Sequence, residues 1–71
     1  MELTFEVHDA DEGGYWARSL NHSIFTEADT WEELRANIVE ATSLHFEDDA
    51  VHPSLVRLHY VRDELVPMAR E

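Results

Sequence analysis

The chain has 71 residues, of which 44% are hydrophobic, and 16 acidic residues against 5 arginines give it a formal net charge of −11. This length allows one small domain, which buries only about 60% of the surface that the unfolded chain exposes. The acidic charge repels phosphate backbones, so we expect no nucleic-acid binding by this chain alone and a basic protein as the natural partner, although the charge could equally serve solubility alone.

The residues that are missing exclude further classes of protein. Without cysteine the chain has no disulfide, thiolate zinc site or cysteine nucleophile. No apolar run approaches the ~18 residues that a membrane span needs, and Met1 and Glu2 do not open a secretory leader. We therefore expect a cytoplasmic location and no contact with a membrane.

The first strand and a hairpin are predicted at the start of the chain. Leu3, Phe5 and Val7 alternate with polar residues, which is the period of a strand with one solvated face. The acids and paired glycines of Asp9 to Gly14 predict a hairpin connection to a second strand.

Tyr15 to Leu20 is the predicted second strand, and its alternation leaves two orientations open. We favour Ala17 inward because its small side chain lets a helix approach, and Arg18 then faces outward and can pair with Glu6 across the ladder. In this orientation Trp16 forms an exposed aromatic centre of the kind that marks an interface. The competing interpretation is that Trp16 closes an edge of the core.

A short third strand over Ser23 to Thr26 precedes the one predicted helix, which runs from Thr30 to about Phe46. Thr30 is a suitable N-cap, and Glu33 three residues later completes a capping box. At 100° per residue, one stripe of this helix comprises Trp31, Leu34, Ile38, Ala41, Thr42 and His45. This stripe is predicted to pack against the sheet.

Leu55 to Val61 is the predicted last strand, and the helix before it allows parallel pairing with a neighbour. Pro67 and the charges around it predict an irregular tail over Asp63 to Glu71. The fold class is therefore α+β, in the order β-β-β-α-β: one domain over residues 1–71, with a mostly antiparallel four-stranded sheet covered on one face by a single helix. The predicted core comprises Leu3, Phe5, Val7, Tyr15, Ala17, Val56, Leu58 and Tyr60 against Trp31, Leu34, Ile38 and Ala41.

The patterns of catalytic and metal sites are incomplete in this chain. Asp9, Asp11 and Gly14 match the start of a calcium loop, but Gly13 and Leu20 occupy two positions that need ligands, which favours a solvated acidic turn. The five histidines lack zinc-site spacing, and there is no serine-hydrolase or phosphate-loop motif. We therefore expect no catalytic, cofactor or metal site, and no enzyme.

Two segments, Glu12 to Arg18 (EGGYWAR) and Phe25 to Leu34 (FTEADTWEEL), together resemble the HicB-like antitoxin family. The family pattern is a G-G-Y-x-A strand, then T-x-x-D-T, then the helix start E-E-A or E-E-L. The matching residues are Gly13, Gly14, Tyr15, Ala17, Thr26, Asp29, Thr30, Glu32 and Glu33. The likeness extends over about residues 3–61.

The resemblance implies a partial ribonuclease H-like fold and a place in a toxin-antitoxin system, where the domain binds and masks a small, basic, RNA-cleaving toxin of the HicA type. Family members usually continue into a helix-turn-helix or ribbon-helix-helix segment, which these 71 residues do not contain. We therefore expect a stand-alone N-terminal-type domain that does not bind operator DNA. The chain also has Leu20 to Ser23 where many members have a Pro-x-x-Pro-Gly-like turn.

Two hypotheses compete with the antitoxin. One is an orphan self-associating regulatory or ligand-binding domain without a toxin partner. The other is a metal-dependent hydrolase, but Thr4 and Phe5 stand where an aspartate of strand one would bind magnesium. In any case we expect self-association, most simply a homodimer, because the domain is small and its third and fourth strands offer unpaired edges.

The predicted partner-binding residues form an acidic hairpin, an acidic cluster after the helix and one aromatic anchor. They are Asp9, Asp11 and Glu12, then Glu47, Asp48 and Asp49, and Trp16. The carboxylates are expected to attract a basic partner and the tryptophan to hold it.

Overall fold

The structure, a computed structural model, describes residues 1–69. Its elements are β1 (Glu2–Asp9), β2 (Tyr15–Ser19), β3 (Phe25–Ala28), α1 (Trp31–His45) and β4 (Leu55–Val61). This is the α+β order β-β-β-α-β that the sequence predicts. The predictions of one domain over 1–71 and of a tail over 63–71 include residues 70 and 71, which lie outside the described residues.

β1 lies inside the sheet, whose strand order is β3-β2-β1-β4. It pairs antiparallel with β2 and parallel with β4, and β2 pairs antiparallel with β3. The sheet is therefore mixed, which corrects the prediction of a mostly antiparallel sheet. The cause is α1, which carries the chain back across the sheet so that β4 enters at the same end as β1.

β3 begins two residues later than predicted, because the preceding turn uses Ser23 and Ile24. The Ser19 amide donates to the carbonyl of Ile24 at 3.0 Å, and the His22 amide donates to Ser19 Oγ at 3.0 Å. Ile24 is buried although it lies outside the strand. Ile24 therefore resembles a strand residue in the sequence because it is β-branched, although in the structure it belongs to the turn and packs on the core.

α1 begins and ends where its capping residues place it. The Thr30 hydroxyl accepts from the Glu33 amide at 3.1 Å and donates to the Glu33 carboxylate at 3.0 Å. At the other end the amide of Phe46, the C-cap, donates to the carbonyl of Thr42 at 3.1 Å. An N-cap of this kind stabilises a helix by about 1 kcal/mol. α1 is the one helix within residues 1–69, and it is too short and too polar to cross a membrane.

The core lies between α1 and the sheet, and most of its members are predicted correctly. Its buried apolar residues are Leu3, Phe5, Val7, Ala17, Ile24, Leu34, Ile38 and Phe46. Tyr15, Ala28, Trp31, Ala41, Val56 and Leu58 are partly buried against them. Tyr60 is 40% exposed at the margin, and His45 is exposed despite its place on the predicted helix stripe. Ile24 and Phe46 are core residues that the sequence analysis did not include.

Candidate protein-interaction surface

The face of the sheet that α1 does not cover carries a row of three aromatic rings. Trp16 of β2 lies opposite His8 of β1, and the two rings stack with their centroids 4.3 Å apart. On the other side Trp16 stacks with Phe25 of β3 at 6.0 Å. We call His8, Trp16 and Phe25 the aromatic row; it crosses three strands, and Phe25 is 60% exposed.

The pleat of the sheet places these rings on the open face. Successive side chains of a strand point to opposite faces, and Val7 and Ala17 are fully buried beneath α1. Their neighbours His8 and Trp16 must therefore point away from the helix. Thr26 lies opposite Ala17, so Phe25 shares the face of the row. The outward orientation of Trp16 is the one that the sequence analysis favours.

Carboxylates flank the aromatic row on the neighbouring strand positions. Glu6 accepts a hydrogen bond from His8 Nε2 at 2.8 Å and one from Arg18 Nη2 at 3.4 Å, so the expected Glu6–Arg18 pair is present. The bond from His8, followed by the weaker contribution of Arg18, lowers the pKa of Glu6 despite some desolvation. Glu27 lies opposite Trp16 on β3. The rings thus have acidic side chains on both sides.

The acidic hairpin lies at the end of the sheet nearest the aromatic row. Asp9 ends β1 opposite Tyr15, one pair beyond His8 and Trp16. Its carboxylate accepts a hydrogen bond from the Tyr60 hydroxyl at 2.5 Å and lies 3.3 Å from Arg62 Nε. Asp11 and Glu12 are exposed in the turn. Asp9 is therefore held in place, while the two turn carboxylates are available to a partner.

The second acidic cluster lies at the other end of the domain. Glu47, Asp48 and Asp49 follow the C-cap Phe46, whose ring contacts His22 of the β2–β3 turn at a centroid distance of 5.0 Å. The length of β1, about 25 Å for eight residues, separates this end from the hairpin. The structure thus brings the hairpin acids and Trp16 together and leaves residues 47–49 apart. One partner reaches both groups only if it spans the sheet.

Residues 1–69 contain no group of three or more histidine, aspartate or glutamate side chains arranged to hold a metal ion. His59 lies opposite Glu6 in the β1–β4 ladder, one strand away from the aromatic row. Phe25 and His8 are the members of the row that the sequence analysis did not name, although the expected pairing of Glu6 with Arg18 already places His8 opposite Trp16. The sequence signal for Phe25 is the strand alternation of Phe25, Thr26 and Glu27, in which Phe25 and Glu27 share one face.

These features define a class of protein: a small α+β domain with one face buried by a helix and one face open, aromatic and acidic. A UPF0150 protein of Thermotoga maritima is 39% identical over 62 residues, which cover 87% of this chain and 86% of the relative. A UPF0150 protein of Archaeoglobus fulgidus is 48% identical over 46 residues, or 65% of this chain and 68% of the relative. The chain belongs to the UPF0150 family. No protein-family model and no solved structure matches it.

Proposed function

We propose that this chain is a protein-interaction module of the HicB-like antitoxin type, which binds and masks a small, basic, RNA-cleaving toxin of the HicA type in the cytoplasm. The observation that carries the proposal is the aromatic row between carboxylates on the open face. Aromatic patches with polar rims are typical of protein interfaces. The net charge of −11 suits a basic partner.

In this proposal the open face has two parts with different tasks. The rings of Trp16 and Phe25 form the anchor, since large aromatic side chains contribute most to binding when they are covered. The hairpin carboxylates of Asp11 and Glu12 attract the basic toxin and orient it. Masking the toxin's RNA-cleaving residues by contact requires no catalysis by this chain. The acidic cluster at residues 47–49 adds long-range electrostatic attraction while the toxin approaches.

The anchor is tested by measuring the affinity for a basic HicA-like protein encoded by a neighbouring gene, together with inhibition of its RNA cleavage. We expect Trp16→Ala to weaken binding by about tenfold or more, mainly through faster dissociation. Leu44→Ala is the matched control, because Leu44 is an exposed apolar residue, 64% accessible, that lies on α1 and away from the half-buried Trp16. This control is expected to bind as the wild type does.

The charges are tested in the same assay by their effect on association. The double substitution Asp11→Asn with Glu12→Gln should slow association and flatten its dependence on salt. Asp48→Asn with Asp49→Asn should do the same to a smaller degree, because that cluster lies at the far end of the sheet. The proposal is overturned if no basic neighbour binds, or if binding ignores both salt and Trp16→Ala. The orphan self-associating regulatory domain would then be preferred.

A further inference from the structure

A groove of about 350 Å³ runs between α1 and β4, and its lining includes both apolar residues and the polar Arg35, Thr42, Ser43 and Ser54. Ile38 and Val39 line it from the helix, and Val56 and Leu58 line it from the strand. Val56 and Leu58 lie opposite the buried Leu3 and Phe5 in the parallel ladder, so they face the helix side, yet they are only half-buried. Val39 is 58% exposed. α1 therefore leaves the helix side of β4 incompletely covered.

β4 is also an edge of the sheet. Its inner side pairs with β1, and its outer side pairs with no strand within residues 1–69. With seven residues it is the longer of the two edges, since β3 has four. An edge strand offers a row of backbone donors and acceptors to any extended segment that lies beside it. The groove and the edge are thus adjacent, so that one extended segment can pair with the edge and place its side chains in the groove.

The segment that fits both features is the tail, residues 62–69, which projects from the end of β4 without helix or strand. The molecule measures 63 Å along its long axis against 20 and 17 Å across. Three apolar side chains of the tail are exposed to water: Leu65 by 97%, Val66 by 66% and Met68 by 86%. Burying them elsewhere is favourable.

The tail does not return to its own groove in this structure. The connection Arg62-Asp63-Glu64 contains no glycine, and Asp63 is therefore not part of the Asp-Gly pair that favours a tight hairpin back along β4. The groove of a second copy needs no such turn, because two copies related by a two-fold axis run antiparallel where their edges meet. Each tail can then pass straight along the partner's β4.

We propose that two copies exchange their tails, each tail pairing antiparallel with β4 of the other copy and placing Val66 and Met68 in its α1–β4 groove. With the two-fold axis at Arg62, Val66 lies opposite Leu58 of the second copy and Met68 opposite Val56. Opposite residues of an antiparallel pair share a face, so both side chains point into the groove. Pro67 is tolerated because the tail forms the outer strand of the pair, and proline is found in edge strands.

Charges and neighbouring surfaces are compatible with this dimer. Two Arg62 side chains meet at the axis, and each is neutralised by its own Asp9, 3.3 Å away. The aromatic row lies on β1, β2 and β3, on the opposite face from the groove. The dimer therefore stands independently of the proposed toxin binding and leaves both open faces accessible.

The first test is the state of association of the full chain by sedimentation over a range of concentrations. We expect the wild type to dimerise, and Val66→Asp with Met68→Asp to weaken dimerisation by about 100-fold or more, since two charges would replace the apolar side chains that contact Val56 and Leu58. Leu65→Asp is the matched control, because Leu65 is more exposed and points to the other face. A wild-type monomer at high concentration, or a dimer that survives the double substitution, overturns the proposal.

The second test uses the lack of cysteine in the chain. The double variant Leu58→Cys with Val66→Cys should form a covalent dimer on mild oxidation. Within one copy these positions are separated by about 26 Å of extended chain, far beyond the reach of a disulfide. A disulfide closed within one copy would show that the tail folds back on its own groove, and it would overturn the exchange. Trp16→Ala should change neither result, which separates failure here from failure of the proposed function.

Discussion

The Tyr60 hydroxyl links the last strand to the end of the first. It donates to Asp9 Oδ1 at 2.5 Å, and this bond, with some desolvation, raises the pKa of Tyr60. The folded chain thus holds the phenol proton more tightly than the unfolded chain does. The resulting stabilisation is complete below the ordinary tyrosine pKa of about 10 and is lost as the pH rises through the higher folded value.

We expect Tyr60→Phe to be less stable than the wild type near neutral pH and to lose less stability when the pH rises from about 9 to about 11. The phenylalanine keeps the ring contacts with Tyr15 and Trp31, whose centroids lie 5.9 and 5.4 Å away. Urea unfolding across this range measures the effect. The chain has neither lysine nor cysteine, the other side chains that would titrate in this range. Tyr15→Phe should retain the wild-type alkaline loss; equal slopes in wild type and Tyr60→Phe would contradict the role of the Asp9 bond.

At this scale the sequence predicts contacts between near neighbours better than contacts between distant strands. The Thr30 cap and the Glu6–Arg18 pair follow from spacing and alternation, and both are present. The Tyr60–Asp9 bond depends on the parallel register of β1 and β4, which no local pattern specifies. The same holds for the aromatic row, because Phe25 lies next to Trp16 only in the observed register of β2 and β3.

Among the elements, the β1–β2 hairpin depends on one of its two glycines more than on the other. Gly13 and Gly14 both have positive φ, 101° and 80°. A Cβ at Gly14 would lie 2.5 Å from the carbonyl oxygen of Ala28, whereas a Cβ at Gly13 would meet nothing within 4 Å. The hairpin therefore packs directly against the connection from β3 to α1, with no space for a side chain.

We expect Gly14→Ala to destabilise the fold by about 3 kcal/mol or more, because it combines backbone strain with a clash against backbone atoms. Gly13→Ala carries only the strain and should cost about 1–2 kcal/mol. Urea unfolding of both variants measures the difference. Equal losses would mean that the hairpin moves freely away from Ala28.

The elements themselves differ in how far the sequence determines them. The bounds of α1 and β4 agree with prediction because caps and strict alternation are local signals. The position of β3 does not, since Ile24 resembles a strand residue and only the bond from Ser19 to its carbonyl shows that it belongs to a turn. The mixed sheet likewise follows from the path of the whole chain.

The molecule as a whole carries far more negative than positive charge. Exposed ion pairs join Glu2 to Arg57, Glu6 to Arg18 and Asp9 to Arg62. Hydrogen bonding between Glu2 and Arg57 lowers the pKa of the glutamate and raises the pKa of the arginine. Exposed pairs of this kind contribute little to stability, because solvent screens them. With a net charge of −11, mutual repulsion among the remaining carboxylates acts against the folded state.

We therefore expect added sodium chloride to raise the melting temperature at neutral pH. Between about 0.01 and about 0.15 M salt the screening length falls from about 30 Å to about 8 Å, which weakens the long-range repulsion more than the short-range pairs. Thermal unfolding at low protein concentration measures this effect. Asp48→Asn with Asp49→Asn should raise the melting temperature at low salt and reduce the gain from salt. A melting temperature that falls with salt would show that the ion pairs dominate.

The position of β1 between β2 and β4 also bears on the order in which the protein folds during synthesis. β1 is made first, whereas its parallel partner begins at Leu55, which lies opposite Glu2. While the ribosome completes the chain, β1, β2, β3 and α1 can assemble, but one edge of β1, the strand that carries the buried Leu3, Phe5 and Val7, has no partner. Closing so long a loop costs chain entropy before any contact is gained, so the docking of β4 is expected to come last. Until then the unpaired edge of β1 can associate with other nascent chains on the same messenger RNA.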